Sequence, residues 1–162
     1  MLGDGRAGPY IRLVHHPEPS VHKFARRVFT IAGIYGLIAL LPNYFLEGRI
    51  GRDYPPPITH PEYFYGFVGV ALAWQLVFLA VGRDPVRLRA VMLPAVLEKL
   101  AFAVPSIMLY LKGRMATPPL IFAGIDLLLG FLFLVAYLRT PTRTELGGTL
   151  RTRSGRRIPR YS

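Results

Sequence analysis

Leu93-Pro94-Ala95-Val96-Leu97-Glu98-Lys99-Leu100-Ala101-Phe102 sets two opposite charges side by side within an apolar run that extends from Ala90 to Leu111. A run of that length is enough to cross the hydrocarbon core of a bilayer. A full charge near its centre costs roughly 2.5–3.5 kcal/mol on insertion scales. Lipid cannot offset that cost, so Glu98 and Lys99 are expected to border a protein interior.

Three more apolar runs lie outward from this one, at 28–46, 63–81 and 117–138. Together with 90–111 they predict an all-α fold, a four-helix transmembrane bundle. The membrane domain is 28–138, between a cytoplasmic leader, 1–27, and a basic tail, 139–162. Composition points the same way: 52% of the 162 residues are hydrophobic, yet the formal net charge is +11. Apolar spans separated by basic loops produce that combination. The absence of cysteine excludes a disulfide framework, thiol chemistry and any cysteine-ligated metal or iron–sulfur site.

Charge topology orients the bundle. Four spans put both termini on one side, which carries fifteen Lys and Arg residues in the leader, the turn after the second span and the tail. The other side carries four, Arg49, Arg52, Lys112 and Arg114, and Lys99 is the one left over. The positive-inside rule therefore predicts N-in/C-in topology, with both termini cytoplasmic, for a multi-pass protein of the bacterial inner (plasma) membrane. The leader has no early apolar core followed by a small-residue cleavage site, so the first span is expected to be retained. Within the leader, Pro19-Ser20 can cap a short interfacial helix through Val21, Phe24 and Val28 that runs into the first span; the alternative is an irregular leader.

Local signals fill in the connections. Ala32 and Gly36 form a small-xxx-small pair on the first span, and Gly66, Gly69 and Ala73 form a small-residue face on the second. Tyr54-Pro55-Pro56-Pro57 predicts that the 47–61 loop is a stiff extended connector rather than a helix. Tyr44 and Phe45 before it, and Tyr63, Phe64 and Tyr65 after it, read as an interfacial aromatic belt. Pro94 and Pro105 are each expected to bend the third span. The short 112–116 connection makes the third and fourth spans antiparallel neighbours. Thr117-Pro118-Pro119 resembles an N-cap followed by early prolines.

Depth along the spans brings a polar layer together. Glu98 and Lys99 fall near the middle of the third span, Asp126 near the middle of the fourth, Gln75 just past the centre of the second and Tyr35 in the first. A Lys99–Asp126 ion pair is expected across the third and fourth spans. Glu98 is left without a charged partner and is expected to be uncharged, with Gln75 and Tyr35 as hydrogen-bond candidates. Successive helix residues project about 100° apart, so Glu98 and Lys99 should border one wide interior face that also includes Ala95 and Phe102. The layer is then either a neutralised network that fixes packing, or a binding pocket or proton path; a third possibility is that one group snorkels.

Other chemistry is sparse. His15, His16, His22 and His60 all lie outside the spans, which speaks against a bis-histidine haem or a histidine-ligated chlorophyll. No catalytic constellation, metal site or cofactor site is expected, and no P-loop, nucleophile elbow or dinucleotide fingerprint is present. The Arg151–Arg157 tract, lying just past a span, points to topology and anionic lipid head groups rather than nucleic acid. Phe122, Phe131, Phe133 and Tyr137 read as a lipid-facing or packing stripe.

The layout of four spans with small-residue helices resembles the small bacterial four-helix membrane proteins grouped as DoxX-like. The segment His60-Pro61-Glu62-Tyr63-Phe64-Tyr65-Gly66-Phe67, followed by Ala73-Trp74-Gln75, is similar to segments of other small bacterial membrane proteins. Neither likeness implies an activity or assigns a site residue. The function expected is a non-enzymatic accessory or structural subunit that packs against other membrane proteins or itself. The alternative is a lipid, quinone or solute binding or transport protein built on the polar layer. A dry, closed layer would favour the first and a cavity beside it the second.

Overall fold

The computed structural model describes residues 19–55 and 57–142. Helix α1 (Pro19–Leu40) leads through a 3-10 turn (Leu41–Phe45) into a two-turn helix α2 (Glu47–Asp53). Helix α3 (Pro61–Arg83) returns, a second 3-10 turn (Arg89–Val91) enters α4 (Met92–Leu111), and α5 (Pro118–Arg139) closes the chain. Four of these helices are long and apolar enough to cross a membrane: 23–45, 61–83, 89–111 and 118–139. In hydrocarbon every backbone N–H and C=O needs an internal partner, which makes the helix the stable form of such segments. The protein is a multi-pass, four-helix bundle.

Several local expectations change. Pro19 and Ser20 are the first residues of α1 rather than a cap, and the amphipathic segment continues into the span as one helix. The 47–61 connector is not extended throughout. Glu47–Asp53 is helical, with Glu47 in its first turn, Arg52 in its last and an Arg49–Asp53 pair at 3.3 Å. Tyr65 donates a 2.7 Å hydrogen bond to Glu47 and stacks on Tyr44, which ties this end of α3 to the connector. Pro94 falls in the first turn of α4, where no intrahelical N–H bond is lost; Pro105 alone lies inside the helix. Pro118 and Pro119 do open α5, but the Thr117 side chain makes no capping bond.

Packing is uneven around the bundle. The α1–α3 and α4–α5 hairpins are the closely packed pairs, α1 against α5 joins them, and α3 barely touches α4. The seam between α3 and α4 is therefore open. Small residues hold α1 against α3. A Cβ at Gly33 would lie 2.9 Å from the Gln75 carbonyl oxygen and 2.8 Å from Leu79, and one at Gly36 would overlap the Gln75 amide. The expected small-residue face of α3 divides: nothing lies within 4 Å of a Cβ at Gly66 and Ala73 is exposed, whereas a Cβ at Gly69 would lie 3.2 Å from the Tyr44 hydroxyl.

Towards the end of the bundle that carries the N-terminus of α1 and the C-terminus of α5, the core is aromatic. Phe29 stacks on Phe133 at 4.1 Å, and Phe78 meets Phe133 edge-on at 4.9 Å. The expected α5 stripe thus splits: Phe133 is buried, Phe122 and Phe131 are exposed, and Tyr137 carries the Arg89 guanidinium 3.9 Å above its ring. Arg89 also donates a 2.6 Å hydrogen bond to the Thr140 carbonyl, so the start of α4 caps the end of α5.

This packing predicts opposite outcomes for two glycine substitutions in one bundle. Gly33→Ala should lower stability in detergent by about 1–3 kcal/mol, the usual cost of overpacking a contact that cannot yield. Gly66→Ala should be neutral or slightly stabilising, since a helical glycine costs about 1 kcal/mol relative to alanine. Thermal unfolding followed by circular dichroism distinguishes the two.

Candidate functional site

Lys99 is the centre of the polar layer. Its stem leaves α4 against Gly130 of α5, and its ammonium lies 3.1 Å from Asp126 Oδ1 and 3.2 Å from Glu98 Oε2. The Phe78 ring centroid is 5.3 Å away, adding a cation–π contact from the aromatic core. The lysine side chain is 7% exposed and each carboxylate side chain 16%, so these pairs lie inside the bundle rather than on its surface.

The Lys99–Asp126 pair forms as expected, but Glu98 is not left without a charged partner. Lys99 stands between both carboxylates, because its four-carbon stem folds back towards its own neighbour. Glu98 Oε1 accepts from Nζ at 3.5 Å, whereas Oε2, although nearer, lies off the hydrogen-bonding direction and is a buried acceptor with no hydrogen bond. Gln75 does not serve Glu98 either. It is buried over Gly36 and donates its Nε2 to the Ala71 carbonyl at 2.8 Å. Tyr35 shares the cavity wall with the trio without a hydrogen bond to it.

Above this layer, on the side towards α2, is a cavity of about 190 Å³ bordered by α1, α3, α4 and α5. Its polar wall is Tyr35, Asn43, Gln75, Glu98, Lys99 and Asp126; its apolar wall includes Phe67, Phe102 and Phe122. One water needs only about 10–15 Å³ of such space, so the layer borders a hollow with room for water rather than a filled contact. A second hollow, a groove of about 560 Å³, follows the open α3–α4 seam past Trp74, Leu97, Ala101 and Pro105. Cavity and groove share Phe67, Ala71, Glu98 and Phe102.

The arrangement has chemical consequences. Two carboxylates face one ammonium, so the fully ionised trio carries a net negative charge and more acceptor positions than donors. Such a site can receive a hydrogen-bond donor or cation from the cavity, or hold one proton between two acids. All five residues expected in the layer, Tyr35, Gln75, Glu98, Lys99 and Asp126, line this one cavity. Sequence reasoning missed Asn43, in the 3-10 turn that follows α1, whose amide donates to the Ala39 carbonyl at 3.2 Å.

Other candidates fall elsewhere. His60 pairs with Glu62 at 3.2 Å where α3 begins, exposed, as a helix-entry residue. No group of three His, Cys, Asp or Glu side chains that could hold a metal occurs among the described residues. His15, His16, the His22 side chain and the Arg151–Arg157 tract lie outside them. No family model matches the chain, and no curated protein or solved structure matches it.

Removing the cation should be the most damaging change to this layer. Lys99→Met leaves two buried carboxylates facing one another and should cost about 3–5 kcal/mol, the usual penalty for breaking a buried pair from one side. Adding Asp126→Asn to that variant should restore part of the loss in a thermal melt. Equal stability of Lys99→Met and wild type would dismiss the ion trio.

Proposed function

We propose that the protein is a non-enzymatic integral membrane protein that binds a small amphipathic molecule, a lipid, quinone or similar solute, with the polar group against Glu98, Lys99 and Asp126. The observation that carries this is the cavity beside the ion trio, with the buried Glu98 Oε2 lacking a hydrogen bond. A purely structural network would be expected to satisfy that oxygen, because an unmade buried hydrogen bond costs about 1–3 kcal/mol. An apolar pocket with a few convergent polar groups is the common form of a small-molecule site.

A second reading, an accessory subunit packed on other membrane proteins or on itself, has its own support. Gly66 and Gly124 have open space around them, and Ala73 and Ala80 are exposed along α3. Small outward residues allow a further helix backbone to approach closely. The two readings are compatible in one protein.

We further propose that both termini are cytoplasmic in a bacterial inner membrane. Exposed Lys23, Arg26, Arg27, Arg83, Arg87 and Arg139 ring one end of the bundle, where they would face anionic head groups.

Two measurements check these proposals. Native mass spectrometry from mild detergent should show a bound small molecule on the wild type and its loss on Glu98→Leu; a bare protein in both would count against the site. Because the chain has no cysteine, single cysteines can report sidedness without background. One placed at Thr59 should react with an impermeant reagent added outside intact cells, and one placed at Arg87 should not.

A further inference from the structure

The geometry points to entry of the ligand from the bilayer, sideways through the α3–α4 seam, with its head group in the cavity and a single apolar chain remaining in the groove. This rests on the cavity being a ligand site, and it adds the route, the number of chains and the charge of the head group.

Size supplies the first argument. A drug-sized ligand needs roughly 300–1,000 Å³. The cavity, at about 190 Å³, can enclose a head group but not a chain. The groove, at about 560 Å³, has room for the remainder. The two hollows are adjacent, with four lining residues in common, Phe67, Ala71, Glu98 and Phe102. An amphiphile fits with its polar part inside and its tail outside once the rings of Phe67 and Phe102, packed on one another with centroids 5.9 Å apart, part to let it through.

The second argument is positional. Glu98 is the one member of the ion trio that lines both hollows. A head group passing the two phenyl rings meets the Glu98 side chain, whose carboxylate has one oxygen buried against Lys99 without a hydrogen bond. Chemistry then narrows the ligand. With both carboxylates ionised around one ammonium, an anionic head group is repelled, whereas an ammonium or a hydroxyl can donate to Glu98. The ligand class is a single-chain amphiphile with a hydrogen-bond-donating, non-anionic head. Lack of packing between α3 and α4 supplies the opening without unfolding either hairpin.

Trp74, the one tryptophan of the chain, lines the groove and not the cavity, so its fluorescence reports the tail. The experiment titrates three chain-brominated amphiphiles of equal length, an amine, an alcohol and a carboxylic acid, into full-length protein in nanodiscs of unbrominated lipid. The amine or the alcohol should quench Trp74 saturably, and the acid should give only the shallow, unsaturated quenching of free partition. Which of the two saturates at lower concentration distinguishes a cationic from a neutral head group. Ala101→Leu, which fills the groove away from the cavity, should weaken the saturable phase by on the order of tenfold. Butylamine and butanol, too short to reach the groove, should still raise the melting temperature of both proteins. If the short compounds stabilise the protein but no long one quenches saturably, the lateral route is overturned while the cavity site stands. If neither short nor long compounds bind, the site itself fails. Saturation by the acid would overturn the charge assignment, and an unchanged midpoint in Ala101→Leu would overturn the position of the tail.

Discussion

A lysine ammonium held between two carboxylates, deep among apolar helices, constrains everything else in this bundle. None of the three charges is tolerable alone at that depth. Lys99 and Glu98 come from α4 and Asp126 from α5, so keeping the charges together keeps those two helices together. The cost of exposing any of them to lipid serves as the clamp. Gly130 lets α5 lie close to the lysine stem, and Phe78 of α3 presents its ring to the ammonium. One cation thereby engages three helices, and the fourth enters through Gly33 and Gly36 against α3.

The bundle divides into two functional halves about this layer. Towards the termini, Phe29, Phe78 and Phe133 fill the interior, and the Arg89 contacts with Thr140 and Tyr137 fasten the ends of α4 and α5. Towards α2 the interior contains alanine, glycine and aromatic side chains set wide apart, which leaves the cavity. Stability is concentrated on one side of the charges and open space on the other. Segregation of this kind allows a site to remain hollow while the fold is held elsewhere.

The sequence made much of this legible because hydropathy and charge are strong signals in a membrane chain. Four spans, the Lys99–Asp126 pair and the closeness of α4 to α5 follow from run length, depth and a short connection. The fate of Glu98 did not follow, because adjacent helical residues point about 100° apart and are not ordinarily partners. The lysine stem is long enough to overcome that angle, and rotamer choice is invisible in a sequence. Gln75 was at the right depth but took a local acceptor, the Ala71 carbonyl, in preference to a distant carboxylate. Helix α2 was hidden by the three prolines that follow it, although Glu47 and Arg52 are placed as helix-end charges should be. The open seam was not legible at all. It depends on which helices pack closely, and the small residues of α3 at Gly66 and Ala73 suggested a contact that lies on the outside instead.

The open seam bears on Glu98, whose Oε2 is ion-paired with Lys99 yet has no hydrogen bond. Asp126 and Glu98 are equally exposed and both line the cavity, but Asp126 does not reach the groove. Glu98 lies one residue from Lys99 but at the edge of α4 that α3 fails to cover, where the groove meets the cavity. A carboxylate at a sealed contact would have been given a partner, since nothing else could reach it. At an unsealed one, a donor can arrive from outside the bundle. The same lack of α3–α4 packing leaves Glu98 without a hydrogen bond from α3 and leaves the groove beside it. Structure and site are joined at this residue: Lys99 lies within 3.5 Å of both Glu98 oxygens, and the same side chain lines both hollows.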